Sequence, residues 1–73
     1  MTAMEDQDAF AAVAHLREAV GYDPFYAEAF VSLGDALVAS GSVTKSIQAY
    51  RRAATLRPKS VIPLWKLAQA YEK

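Results

Sequence analysis

The side chains that could carry out catalysis are few, and their spacing does not suit it. His15 is the only histidine, so no second imidazole is present to share a metal ion with it. Glu28 and Asp35 are seven positions apart, on one helix face, but paired carboxylates do acid–base chemistry only in a pocket that shifts their pKa values. The sequence has no glycine-rich phosphate loop, and no serine has a histidine arrangement typical of a nucleophile. We therefore expect no catalytic site, no metal site and no cofactor.

The charged side chains give no indication of a polyanionic partner. Eight basic and eight acidic residues cancel, so the chain has no net field that would attract nucleic acid or an anionic membrane. Arg51, Arg52, Arg57 and Lys59 form a local basic cluster, which we interpret as a solvated outer face that complements a helix dipole. Aromatic residues are not interleaved with these arginines, as they are in proteins that bind single strands. We expect no nucleic-acid partner.

Cysteine content and the N-terminal sequence indicate the compartment. The chain contains no cysteine and hence no disulfide. Its first residues are acidic and lack the basic and then apolar profile of a secretion signal. No apolar stretch has the length that a bilayer-spanning helix needs, so we expect no membrane insertion. Together these features predict a cytoplasmic, intracellular protein.

A repeat in the sequence indicates the elements that position these side chains. Pro24 and Pro58 lie 34 residues apart, and the apolar residues around them recur with the same offset. These pairs include Val13 with Ile47, Leu16 with Tyr50, Ala19 with Ala53, Phe30 with Leu64, Leu33 with Leu67, Gly34 with Ala68 and Leu37 with Tyr71. A fixed period of this length indicates stacked supersecondary units, each of which buries its apolar face against its neighbours.

One period of the repeat has the pattern of a helical hairpin. Its first half has large apolar residues at helical spacing, namely Phe30, Leu33 and Leu37. Gly41 is expected to end that helix in a left-handed turn, and the Ser42 side chain to cap the next helix. Because the residue before a proline is pushed out of the helical region, the second helix should end before Pro58.

The hairpin resembles a tetratricopeptide repeat. The residues that carry the resemblance are Phe30, Leu33, Gly34, Leu37, Gly41, Tyr50, Ala53 and Pro58. Leu37 replaces the family's usual tyrosine and Ser46 its usual small alanine, and both substitutes fit their places. The resemblance implies an all-α fold of antiparallel helical hairpins, stacked as a short right-handed solenoid of about four helices. It also implies a protein-binding scaffold rather than an enzyme.

The phase of the repeat divides the chain unevenly. We predict a flexible acidic leader at residues 1–7 and a repeat domain at residues 8–73. Within that domain, residues 8–22 match only the second helix of a repeat, and residues 24–60 match a full helix-turn-helix repeat. Residues 61–73 match only the first helix of a following repeat.

The last of these helices has an apolar face that its missing partner helix would cover. We interpret this face as an oligomer or continuation face, made of Leu64, Leu67, Ala68 and Tyr71. Covering apolar surface is worth about 25 cal/mol per Å², so a large patch rarely stays exposed on a monomer. Another copy of the chain, the rest of a longer protein and a different partner are the three alternatives.

The family resemblance also implies a concave groove, lined by the first helix of each unit, that holds a peptide or helix of a partner. The matching positions are Glu28, Val31, Ser32, Asp35, Val38, Ile62, Trp65, Lys66, Gln69 and Lys73. Val31 and Asp35 stand where the family's clamp for a C-terminal carboxylate needs a lysine and an asparagine, which argues against binding of chaperone tails. Trp65 is either an anchor for the partner, as tryptophan often is, or a residue packed within the solenoid.

Two functions remain open from the sequence, beside a third alternative, a targeting domain appended to an enzyme encoded elsewhere in a longer chain. The first is a scaffold for protein–protein interaction whose groove binds a peptide or helix as part of a larger assembly or longer chain. The second is a self-assembling structural module, in which the unmatched half-repeats of different copies complete each other in a homo-oligomer.

Overall fold

Four helices make up the part of the chain that the computed structural model describes, residues 2–72, with side chains from residue 8 onward. They are α1 (Thr2–Tyr22), α2 (Ala27–Ala39), α3 (Val43–Leu56) and α4 (Val61–Tyr71), and these residues contain no strand. Short turns join each helix to the next, so neighbouring helices run antiparallel. The predicted all-α fold of helical hairpins is confirmed.

The turn between α2 and α3 is set by Gly41. Its φ is +88°, in the left-handed region where a side chain would be strained, so the expected glycine turn is confirmed. The Ser42 N–H donates to the Leu37 carbonyl at 2.7 Å and the Gly41 N–H to the Val38 carbonyl at 3.0 Å, a Schellman ending. Ser42 is the N-cap residue of α3, but its side chain makes no capping hydrogen bond, and that prediction was wrong.

The turns at the two prolines have the same hydrogen bond. In the first, the Tyr26 N–H donates to the Asp23 carbonyl at 3.2 Å, and in the second the Ser60 N–H donates to the Arg57 carbonyl at 3.0 Å. The proline stands second in each turn, where its fixed φ is favourable. The 34-residue period of the sequence is therefore present in the backbone as a repeated turn.

The core lies where α2 packs between α1 and α3. Leu33, Leu37 and Ala49 form its buried centre, and the half-buried residues that pack on it are Val13, Leu16, Val20 and Phe30. Small residues are buried where the helices pack, among them Ala36 and Ala53. Helix α4 extends the stack by packing chiefly on α3, which leaves α1 and α4 as the two outer helices.

Helix α1 begins earlier than the sequence pattern indicates. It begins at Thr2 instead of residue 8, so its backbone is helical through most of the segment predicted to be a flexible leader. The physical reason is that residues 2–7 contain neither glycine nor proline, and Gln7 stands at the place that Gly41 takes one period later. The side chains of residues 1–7 lie outside the described part of the chain. The predicted flexibility of this segment therefore stays a prediction.

Candidate functional site

The candidate site is the face on which α2 and α4 lie side by side. The predicted groove residues fall on these two helices, and the structure divides most of them between two hollows. One hollow, of about 540 Å³, includes Asp35, Val38, Lys66 and Gln69 in its lining. The other, of about 330 Å³, includes Glu28, Val31, Ser32 and Ile62.

The first hollow is polar and is organised by Asp35. The Tyr50 hydroxyl donates a hydrogen bond to Asp35 Oδ1 at 2.6 Å, and Lys66 Nζ donates to the same oxygen at 2.8 Å. Since these side chains come from α3, α2 and α4 respectively, one carboxylate oxygen joins three helices. Burial raises the pKa of Tyr50 above its usual value, and the hydrogen bond and charge of Asp35 raise it further. The phenol therefore remains a donor at neutral pH.

The charges of this polar hollow disfavour an anionic ligand. Lys66 is its only cation among the described lining residues, and the ammonium group is already paired with Asp35. Glu72 adds a second carboxylate to the lining. A ligand carboxylate placed here would meet two like charges and one neutralised lysine, an arrangement that repels it.

The ring of Tyr50 reaches Asp35 because Gly34 leaves room for it. A Cβ at Gly34 would lie 2.6 Å from Cδ1 and 2.8 Å from Cζ of Tyr50, and closer still to Cε1. Real carbon atoms do not approach so closely, so any side chain at this position displaces the ring. Gly34 is thus required by the close packing of α2 against α3, and through Tyr50 it supports the polar hollow.

The second hollow is more apolar and lies near the N-terminal ends of α2 and α4. Val31, Ile62, Pro63 and Ala27 contribute its apolar lining. At its edge Arg57 Nη2 lies 3.8 Å from Glu28 Oε2, in an exposed ion pair. An exposed pair of this kind adds little stability, because water screens it. Because its lining surface is mainly apolar, the hollow suits an uncharged, apolar side chain of a partner.

One described groove residue, Trp65, is not part of either hollow. It is 58% exposed, so it is not a core residue of this chain. Its role as an anchor stays a prediction. Lys73 lies outside the described residues.

The structure adds site residues that the sequence pattern did not indicate. Tyr50, assigned to the repeat packing, also lines the polar hollow, as does Glu72. Arg57 belongs to the predicted basic cluster but lines the apolar hollow, while Arg52 of that cluster lies 6.0 Å from the Phe30 ring centroid. The signal that the sequence offered for Tyr50 was its place among the residues that carry the family resemblance.

The predicted oligomer or continuation face lies on another side of α4. Leu64 is 49% exposed and Tyr71 is 61% exposed; Ala68 is exposed and Leu67 is half-buried. This face is apolar and is left uncovered by the described residues of the chain. What covers it stays a prediction.

Two kinds of site are not found within the described residues. No group of three or more histidine, cysteine, aspartate or glutamate side chains there is placed to hold a metal ion. None of the four described helices has both the length and the apolar character needed to cross a membrane.

The repeat pattern matches a known family. The model of the tetratricopeptide repeat matches residues 1–61, which is most of the chain. No curated protein and no solved structure gives a significant match. The match agrees with the helical hairpins, the glycine turn and the repeated proline turns described above. The chain belongs to the tetratricopeptide repeat family.

Proposed function

We propose that this chain is a scaffold for protein–protein interaction, whose α2–α4 groove binds a peptide or helix of a partner. Proteins of this family generally mediate protein–protein interaction and are typically not enzymes. The observation that carries the proposal is the pair of adjacent hollows along the groove, one polar and one apolar. Ligand sites commonly combine an apolar surface with a few placed polar groups in this way.

The hollows define the chemistry of the partner segment. An apolar side chain of the partner would enter the hollow lined by Val31 and Ile62, since burying a medium-sized apolar side chain there gains about 1.5–3 kcal/mol. A neutral or basic hydrogen-bond donor would face Asp35 and Glu72 in the polar hollow. A C-terminal carboxylate does not suit the polar hollow. This agrees with the sequence analysis, in which Val31 and Asp35 argue against binding of chaperone tails.

A matched pair of substitutions tests the groove. Ile62 lines the apolar hollow and Val61, the preceding residue of α4, is not among its lining residues; they are 58% and 74% exposed. Peptides selected from a random display library on the wild-type chain should bind Ile62→Asp at least tenfold more weakly, and Val61→Asp as well as wild type. Fluorescence anisotropy measures the affinities, and circular dichroism checks that both variants are folded. If the two variants bind alike, or no selected peptide depends on Ile62, the groove is not the binding site.

Trp65 is tested in the same assay. If it is an anchor, Trp65→Ala weakens peptide binding and leaves helicity intact, because the exposed side chain contributes little to the core. Unchanged binding would remove Trp65 from the site and would leave the two hollows as the binding surface.

We infer a second candidate function from the α4 face. Leu64 and Tyr71 are both about half exposed or more, beside Leu67 and Ala68. An apolar face of this kind favours a structural module that assembles with other copies of itself. A sedimentation experiment tests it: the average mass should rise with protein concentration, whereas a strict monomer at hundreds of micromolar would contradict it.

A further inference from the structure

We propose that the apolar face of α4 is covered by α1 of a second copy of this chain, packed as α3 packs on α2. The inference rests on the second candidate function, self-assembly, and names the two surfaces that meet. The complete hairpin α2–α3 shows how such a pair of helices packs, and the residues one period away, on α4 and α1, stand at the same positions.

The first surface is the equivalent of the covered face of α2. One period separates Leu33, Gly34 and Leu37 on α2 from Leu67, Ala68 and Tyr71 on α4. The three residues of α2 are buried, because α3 covers them on one side and α1 packs on the other. Their α4 equivalents are exposed or half-buried, so α4 presents the same kind of face without a covering helix.

The second surface is the equivalent of the covering face of α3. The α3 residues of that face are all buried: Ser46, Ala49, Tyr50 and Ala53. One period earlier, α1 has Ala12, His15, Leu16 and Ala19, of which His15 is exposed and the others are half-buried. Apart from His15, which stands where the buried Ala49 stands in α3, helix α1 has the small and apolar residues of a covering helix, on a face that is still partly open.

The sterics of this face favour α1 of the second copy over its α3 as the occupant. In the observed hairpin the Tyr50 ring fits only because Gly34 has no Cβ. On α4 the equivalent of Gly34 is Ala68, whose Cβ would clash with a tyrosine in that position. Helix α1 has Leu16 in place of Tyr50, so the interface has no tyrosine ring at the point where Ala68 adds a methyl group. Volume-conserving exchanges of this kind are the ones that packed interfaces tolerate best.

The polar groups also match. In the hairpin, Tyr50 and Asp35 satisfy each other by a hydrogen bond. Their equivalents, Leu16 and Gln69, include neither a hydroxyl nor a carboxylate, so closing the pair buries no unpaired charge. His15 is the polar side chain of the α1 face that has no counterpart in the hairpin, where Ala49 takes its place.

The symmetry of this contact follows from the position of the two helices. Because α1 and α4 are the outer helices at opposite ends of the stack, the contact is head-to-tail and joins copies into an open chain or a ring. One helix face on another is small compared with a stable protein–protein interface, so we expect association at tens to hundreds of micromolar.

Mixing two complementary variants tests the contact. Ala12→Glu places a charge on the α1 face and leaves α4 intact, whereas Tyr71→Glu does the reverse; Ala68→Leu is a second α4 variant. Each variant alone should be monomeric by analytical ultracentrifugation, and an equimolar mixture of an α1 variant with an α4 variant should form a one-to-one dimer. Ile62→Asp, on the groove side of α4, should associate as wild type does. Circular dichroism verifies the fold of every variant.

The other occupants of the α4 face give different results. If α4 packs on α4 of the second copy, Ala12→Glu still self-associates and the mixture forms no heterodimer, which overturns the pairing but keeps self-assembly. If a different protein or a further segment covers α4, wild type is monomeric at hundreds of micromolar, which overturns both. Neither result bears on peptide binding in the groove.

Discussion

Replacing Gly34 by alanine is expected to destabilise the chain by about 1.5–3.5 kcal/mol, although alanine is the better helix former. The new Cβ would lie 2.6 Å and 2.8 Å from two atoms of the Tyr50 ring, so the ring must move. Overpacking a tight site costs about 1–3 kcal/mol. Moving the ring also breaks the Tyr50–Asp35 hydrogen bond. A hydrogen bond to a charged acceptor contributes about 1.5–3 kcal/mol, and we take the lower value, about 1.5 kcal/mol, because Asp35 is partly exposed. The gain in helix propensity returns only about 1 kcal/mol.

Two further variants make this prediction specific to the ring. Gly21 in α1 has nothing within contact distance of an added Cβ, so Gly21→Ala should be neutral or stabilising by up to about 1 kcal/mol. When Tyr50 is first replaced by leucine, the space opens, and Gly34→Ala should then be neutral or stabilising. Leucine opposite alanine is also the pairing that we propose for Leu16 and Ala68.

Urea unfolding followed by far-UV circular dichroism measures these free energies. A chain of this size has a few to about ten kcal/mol of stability, so the loss should be visible as a much lower midpoint. The reasoning is refuted if Gly34→Ala is as stable as wild type. It is also refuted if Gly34→Ala costs the same in the Tyr50→Leu background, because the ring would then not be the cause.

Three other predictions follow from the described contacts. Gly41→Ala should lower the free energy of unfolding by about 1 kcal/mol, because φ of +88° is strained for alanine; an unchanged urea midpoint would show that the turn relaxes without cost. Since burial and Asp35 raise the pKa of Tyr50, its contribution to stability is present below about pH 10 and is lost as the pH rises further. Urea midpoints at about pH 8 and about pH 11 should therefore fall more for wild type than for Tyr50→Phe, and equal falls would contradict the assignment. Arg57→Ala should change the free energy of unfolding by less than about 1 kcal/mol, because its ion pair with Glu28 is exposed; a larger loss in the same assay would show that Arg57 has another stabilising contact.

The turns and helices followed from local chemistry and could be predicted. Pro24 and Pro58 restrict the backbone at their own positions, and Gly41 permits a left-handed turn at its own, so the effect of each is visible in the sequence alone. The early start of α1 at Thr2 could not be derived from the repeat. The repeat places a turn before residue 8, whereas in the structure the helix continues through that position. Ser42 takes the expected N-cap position, but the hydrogen bond of its side chain depends on a rotamer that the sequence does not determine.

The organisation of the site was less predictable than the fold. The groove residues on α2 and α4, Asp35 among them, follow from the repeat, but the hydrogen bonds that Asp35 accepts do not. Its partners Tyr50 and Lys66 are 15 and 31 positions away in sequence, on two other helices. Such a contact depends on how three helices pack, which the repeat specifies only to the level of helix faces. For the same reason the sequence did not indicate that Trp65 lies outside both hollows.

The central claim is that a partner segment binds along the α2–α4 groove, and mapping by NMR tests it most directly. Isotope-labelled wild-type chain would be titrated with a peptide selected from the display library, and shifts of the backbone amide signals recorded. We predict the largest shifts at Val31 and Ile62 beside the apolar hollow and at Asp35 and Gln69 beside the polar one, with α1 little changed. Shifts concentrated on α1 and the outer side of α3, with the groove unaffected, would contradict the account.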